Sequence, residues 1–263
     1  MGRLLPWCSL AAFLLAPGCD CGGNLASRDG AVGDGSADRD AAHADGSSAD
    51  GAAGDGAVHC AELTAILRDF RVDHPDMEGA LGSERGIVED ALAGDGLPVY
   101  AGGGGTATTS GRDAFDQWYR DVDGVNLRFE IPLPLTEGPP GVFTFDNGDF
   151  FPLDGLGWPG EERLGHNFHF TTEIRGTFTY RGGENFTFRG DDDVFVFVNG
   201  RLALDLGGVH GAESGTIDFD RDAATLGISV GGTFGLDVFH AERHTSESNF
   251  RIETSIECLG GLI

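Results

Sequence analysis

The chain has 263 residues and a formal net charge of −26, from 43 acidic against 17 basic residues, all of the latter arginine. So acidic a surface repels nucleic acid and excludes that class of partner, while it suits high solubility and divalent cations. No apolar run reaches the roughly 20 residues of a spanning helix, and 44 glycines with 19 Phe against three Tyr and three Trp point to a Phe-rich β core.

Met1 to Gly18 has a basic start at Arg3 and an apolar stretch from Trp7 to Ala16, the layout of a signal peptide. Ala16-Pro17-Gly18 before Cys19 resembles a bacterial lipobox. Residues 1–18 are therefore expected to be cleaved and Cys19 to carry lipid, making a membrane-anchored lipoprotein at the cell surface or facing the periplasm. Pro17 departs from the usual small residue and leaves a plain secretory signal as the alternative; either way the chain is exported. Residues 19–58 are built almost wholly from Gly, Ala, Asp and Ser and lack any aromatic residue, so they cannot bury enough surface to fold. They read as a disordered tether with a mean reach on the order of 30 Å. Its Asp-Gly pairs are too irregularly spaced for a calcium-binding β-helix. Cys60 and Cys258 bracket the folded region, residues 59–263, and export permits a disulfide between them. Closing so long a loop would stabilise by roughly 4–5 kcal/mol in the chain-entropy model. Cys21 is left as a free thiol or an alternative partner.

In the folded region, Cys60 to Phe70 fits both a helical face (Leu63, Ile66, Leu67, Phe70) and a strand face (Leu63, Ala65, Leu67). Arg71 to Pro98 is rich in turn residues. Ser110 to Arg120 is a predicted helix, capped by Ser110, with Phe115, Trp118 and Tyr119 on one face. From Val125 the pattern is β, with short strands expected near 125–131, 142–145, 168–174, 177–180, 186–188, 194–198, 202–206, 216–219, 225–230, 234–239 and 250–256. Many short strands divided by Gly, Pro, Asn and Asp imply a mainly β fold, an antiparallel β-sandwich or barrel. One or two short helices are expected in its N-terminal half.

The centre of the region is Phe186 to Leu206. Phe186 and Phe188 alternate with polar residues, Val194 to Val198 is an unbroken β-branched and aromatic run, and Asn199-Gly200 is a strong signal for a type I′ hairpin turn. Before the central strand stand Asp191, Asp192 and Asp193. Three carboxylates so close repel one another, and a loop holding them gains most from a cation among them; oxygen donors suit a hard ion such as calcium.

Certain motifs then fall in a familiar order. They are Arg68-Asp69-Phe70, His74-Pro75-Asp76, Trp118 to Val122 with Asn126, Phe150 to Asp154, His166 to Thr171, Gly190 to Val194, Asp205 to His210, Phe239 to Thr245 and Ser248-Asn249-Phe250. In this order they resemble the fibro-slime domain family of secreted proteins, over nearly all of Leu63 to Ile256. The C-terminal half resembles the protective-antigen-type (PA14) β-sandwich. In sugar-binding members of that wider group two adjacent aspartates ligate calcium and sugar hydroxyls complete its shell; other members use the fold structurally. The resemblance places the pair at Asp191 and Asp192, and puts the second loop at Glu242 to Asn249, with Asn249 as the third ligand.

Asp193 could turn away and cap backbone amides. Arg243 is expected to pair with Glu242 and shape the loop, or to reach a sugar hydroxyl; Trp158, in a Gly/Pro loop, could stack on a sugar ring or cover the core. His210, His240 and His244 with Glu242 could form a metal cluster or simply bond loop groups. Arg189-Gly190-Asp191 spells an integrin-type tripeptide, a triplet too short to weigh. The reading these residues support is a calcium-dependent carbohydrate-binding or adhesion module, with an extracellular glycan or matrix component as partner. The alternative is a structural matrix domain with a protein partner, in which calcium only stabilises loops. Catalysis is not expected: adjacent aspartates make a poor acid/base pair, and neither GxSxG nor HExxH is present.

Overall fold

A computed structural model describes residues 62–261, all within one compact unit, Gly54–Ile263. The expected signal peptide and tether, with Cys19, Cys21 and Cys60, lie outside the described residues. Cys258 is disulfide-bonded; the expected pairing with Cys60 falls on a residue that is not described.

The elements in order are β1 (Glu62–Phe70), β2 (Gly82–Ser83), α1 (Arg112–Phe115), β3 (Asn126–Pro134), β4 (Thr136–Glu137), β5 (Phe143–Asn147), β6 (Phe170–Thr179), β7 (Asn185–Gly190), β8 (Asp193–Val198), β9 (Arg201–Leu206), β10 (Gly208–Val209), β11 (Glu213–Asp218), α2 (Phe219–Leu226), β12 (Thr233–Glu242), β13 (Phe250–Thr254) and β14 (Gly260–Gly261). A seven-stranded sheet runs β3-β1-β6-β12-β8-β9, with β14 beside β6 where its pairing with β1 ends. A five-stranded sheet runs β11-β7-β13-β5-β4. Every pairing is antiparallel. The chain is thus the mainly β sandwich its strand pattern implies.

Two cores explain why β8 reads as an unbroken apolar run rather than an alternating one. Val194, Val196 and Val198 face the five-stranded sheet and pack with Phe186, Phe188, Ile217, Phe250 and Ile252. Phe195 and Phe197 face the other way, into a cluster with Phe239, Tyr100, Phe115, Trp118 and Tyr119. The turn-rich segment 71–125 therefore covers the outer face of the large sheet. Within it, hydrogen bonds from Thr106 Oγ1 (2.6 Å), Thr108 Oγ1 (2.7 Å) and the Thr108 N–H (2.9 Å) to Glu84 hold two of its loops together.

The ambiguous N-terminal segment is a strand. Leu63, Ala65 and Leu67 are buried on one face of β1, and the strand is flanked by β3 and β6, so both backbone edges are paired. The predicted helix over 110–120 shrinks to α1. Ser110 does not cap it: its N–H donates to Asp76 Oδ1 (2.6 Å) and its hydroxyl to the Pro75 carbonyl (2.8 Å). The N-cap position is Gly111 and carries no side-chain cap bond. The strand expected at 216–219 forms as the end of β11, but the second helix follows it in the C-terminal half, and no strand forms at 225–230. Asp218 caps α2 by accepting from the Arg221 N–H (3.0 Å), and Gly227 closes it at φ 68°. The Asn199-Gly200 hairpin forms as expected, with φ 52° and 71°. Asn199 Nδ2 also donates to the Leu226 carbonyl at 3.0 Å, tying the hairpin to the end of α2.

Within β12, burial pushes the Asp237 carboxyl up to about 6, Arg175 nearby pulling it back and Glu173 adding to the rise. A carboxylate unfolds to about 3.9, so the native state holds this proton more tightly. The stabilisation is present below pH ~4 and is lost as pH rises to about 6. Asp237→Asn should therefore gain on wild type between pH 4 and pH 7; urea midpoints whose difference stays constant over that range would refute the assignment.

Candidate functional site

The two sheets meet at one corner. β7 belongs to the small sheet and β8 to the large one, and the chain crosses between them at Asp191 and Asp192. The crossing needs a break in the strand, which Asp192 provides with φ 51°, a conformation that Asp tolerates better than most residues. The three aspartates consequently point in three directions. Asp191 Oδ2 accepts from the backbone N–H and side-chain Nδ2 of Asn249, at 2.5 and 2.8 Å. Asp192 accepts from the His210 N–H (3.0 Å) on Oδ1 and the Arg243 N–H (2.8 Å) on Oδ2. Asp193 accepts from the Gly208 N–H on Oδ1 (2.7 Å), and its Oδ2 lies 2.7 and 2.6 Å from Arg243 Nε and Nη2.

Arg243 organises the inner side of this corner. It is fully buried, its guanidinium stands 4.6 Å from the Trp118 ring centroid, and Nη1 donates to the Asp76 (3.0 Å) and Thr108 (2.7 Å) carbonyls. Asp76 in turn accepts from the Trp118 indole N–H at 3.0 Å and the Ser110 N–H. The expected Arg243–Glu242 pair does not form. Successive residues at a strand end point to opposite faces, so Arg243 enters the outer core while Glu242 turns to the side of His240. Buried as it is, Arg243 is a structural cation and offers a sugar hydroxyl nothing. Asp193 does bond a backbone amide, but inwards, together with Arg243.

The outer side of the corner is a set of crowded carboxylates. Asp191 and Asp192 are 2% and 3% exposed and Glu242 is fully buried. Among the described residues Asp191 Oδ1 and both Glu242 oxygens lack a hydrogen-bond partner, and the Ser248 hydroxyl donates to the Phe150 carbonyl. Burial raises the Asp191 carboxyl, with Asn249 holding it back. Burial pushes Asp192 up to about 7 against the pull of Arg243, and drives Glu242 well above the carboxylate range, with the Asp192 and Asp191 charges adding. Such a group is relieved by protons or by a cation. Orphaned oxygens and an all-oxygen donor set fit a hard cation at Asp191 and Asp192.

Asn249 joins Asp191, as the resemblance implies, but through its amide nitrogen. Among the described residues no three His, Cys, Asp or Glu side chains converge as a metal cage. The histidines are occupied elsewhere: His210 with the Leu206 and Gly211 carbonyls at 3.0 Å, His244 with the Thr245 carbonyl at 3.0 Å, and His240 among Phe170, Phe188 and Phe250. His240 is held far down the scale, to about 3, by burial.

Asp191 and Asp192 open onto a cleft of about 60 Å³ with Leu81, His210, His244, Ser246 and Glu247. A larger cleft, about 510 Å³, shares Ser246 and Glu247 with it and continues over Asn249, Arg189 and His166. Trp158 lines neither. Its backbone N–H donates to Asp69 Oδ2 at 2.5 Å, and Arg71 covers its ring at 3.7 Å. The residues that sequence reasoning left without a role are Asp76, Glu78, Thr108 and His169. Glu78 Oε1 takes His169 Nε2 (2.9 Å) and the Thr245 N–H (3.2 Å), and its own N–H donates to the Arg243 carbonyl (2.7 Å), so the N-terminal segment pins loop 243–249. The motif His74-Pro75-Asp76 was the available signal.

A two-sheet antiparallel sandwich with an acidic corner between its sheets is thus the class of domain. Residues 158–262 match the family model of the PA14 domain. Similar curated proteins include psiD of Dictyostelium discoideum, 42% identical over 188 residues, covering 66% of this chain and 36% of psiD. Protein psiQ of the same organism is 37% identical over 203 residues, 72% of this chain and 20% of psiQ. The chain spans about a third or less of the length of these relatives. Among solved structures it is similar to a PA14 sugar-binding domain from an RTX adhesin, at 12% identity and TM-score 0.35, covering 77% of this chain and 94% of that one. It is also similar to the PA14 domain of the MpAFP antifreeze protein, at 10% identity and TM-score 0.32, covering 72% and 78%.

Proposed function

We propose that the chain is an exported, non-catalytic binding module whose Asp191–Asp192 corner holds calcium and, through it, the hydroxyls of an extracellular glycan. The observation that carries this reading is the pair of adjacent, buried carboxylates at the mouth of a cleft, with Asp191 Oδ1 unpartnered. Asn249, whose amide already touches Asp191, is the third side chain, and backbone carbonyls, water or sugar oxygens supply the rest of a shell of six to eight. The match of residues 158–262 to the PA14 family model supports the same class of function. The lipid on Cys19 and the acidic tether would hold the module off a membrane.

Calorimetric titration of the full chain with calcium should show binding that Asp191→Ala/Asp192→Ala abolishes, with circular dichroism confirming that the variant is folded. Heat of equal size in both proteins overturns the site. A second reading is favoured by the burial of the pair at 2% and 3% exposure: a structural matrix domain with a protein partner, in which calcium only stiffens the corner. Chelation separates the two, abolishing glycan capture in the first and only lowering the melting temperature in the second.

A further inference from the structure

The larger cleft carries a feature that folding does not require. Arg163 and His166 form an antiparallel bridge, each N–H bonded to the other's carbonyl at 2.8 and 2.9 Å, around a two-residue turn. Its first residue is Leu164 at φ 51°, followed by Gly165 at φ 91°. That position favours Asn, Asp or Gly; a leucine there is strained. Leu164 is nevertheless 79% exposed, so no packing among the described residues compensates. It lines the 510 Å³ cleft beside Phe151, whose ring stacks on His166 at 4.1 Å and 18°. Backbone strain that gains nothing for the fold is characteristic of a binding surface. At the other end of the trough stands Leu81, 72% exposed, on the wall of the Asp191–Asp192 cleft.

From this geometry we infer that the trough is an extended subsite for a neutral oligosaccharide of at least two units, with Leu164 and Phe151 receiving the apolar face of the second sugar. The inference rests on the glycan reading above. Size favours a chain over a single sugar, because the cleft is of small-ligand volume and is continuous with the aspartate corner through Ser246 and Glu247. Lining chemistry favours a carbohydrate: two apolar patches alternate with hydroxyl, amide and carboxylate groups. Charge favours a neutral one, since Arg189 is outnumbered by Asp149 and Glu247.

The test uses the full chain with calcium and a panel of neutral mono-, di- and trisaccharides of glucose, galactose and mannose, with uronic acid chains as the anionic comparison. The best neutral oligosaccharide should bind about tenfold more tightly than its monosaccharide, the gain of roughly one buried leucine. Leu164→Asn should remove that gain while leaving monosaccharide and calcium binding unchanged, and its urea midpoint should match or exceed wild type because the turn is relieved. Equal affinity for mono- and oligosaccharides, an unaffected variant, or preference for the uronic chains overturns the inference. If chelation still abolishes binding in that case, the calcium–glycan reading stands alone. If wild type captures no sugar in any arm, both fall.

Discussion

Arg243→Met is expected to destabilise the domain by about 3–5 kcal/mol, the cost of removing one partner of a buried ion pair. The substitution leaves the Asp193 carboxylate fully buried with only the Gly208 N–H (2.7 Å), and strips the Asp76 and Thr108 carbonyls of their donor. It also removes the cation over Trp118, at the centre of the outer core. Domains of this size are stable by only ~5–15 kcal/mol, so the variant should lose about a fifth or more of its resistance to urea. Adding Asp193→Leu should recover much of the loss, because the double variant no longer buries an unpaired charge. Urea unfolding of the four proteins of this cycle decides it. A single variant within about 1 kcal/mol of wild type would mean that water reaches the pair and that the corner is not closed.

A fragment limited to the stretch that matches the PA14 family, residues 158–262, is expected not to fold cooperatively. Cutting there deletes β1 and β3 from one edge of β6, and β5 and β4 from one edge of β13, leaving both strands with open backbone edges. It removes Leu63, Leu67, Phe150 and Leu153 from the central core, where each such side chain contributes about 1.5–3 kcal/mol. The deleted part also holds the Asp76 and Thr108 carbonyls that receive Arg243, and Glu78, which fixes Thr245. The outer core loses Tyr100, Phe115, Trp118 and Tyr119 together. Circular dichroism against temperature and proton line dispersion test this. A sharp transition and dispersed spectrum for the fragment would show that segment 62–157 is an addition to the fold rather than part of it. The expected outcome makes the folding unit larger than the family match.

Much of the sandwich was legible because its signals are local. Phe186 and Phe188 alternate because one face of β7 is buried, Val194 to Val198 is unbroken because β8 is buried on both, and Asn199-Gly200 supplies the two positive φ angles its turn needs. The acidic corner was legible for the same reason: three neighbouring carboxylates repel each other wherever they are put, so their presence announces a local compensation. Even α2 had its signals, with Asp218 as cap and Gly227 as stop, and these were outweighed by the surrounding β pattern.

What the chain by itself determined is therefore the class of fold, the hairpin and the site of the acidic turn, each encoded by residues within a few positions of one another. The tertiary structure alone decided which partner each charge takes. Neighbouring Glu242 and Arg243 look like a pair in sequence, but the pleat sends them to opposite faces of β12, and Arg243 finds Asp193, 50 residues away. Trp158 looks free to stack until Arg71 is seen lying on it. Turn-rich residues 71–98 have no periodicity of their own because their shape is set by the sheet they cover, and they acquire their meaning from long-range burial that no local pattern records.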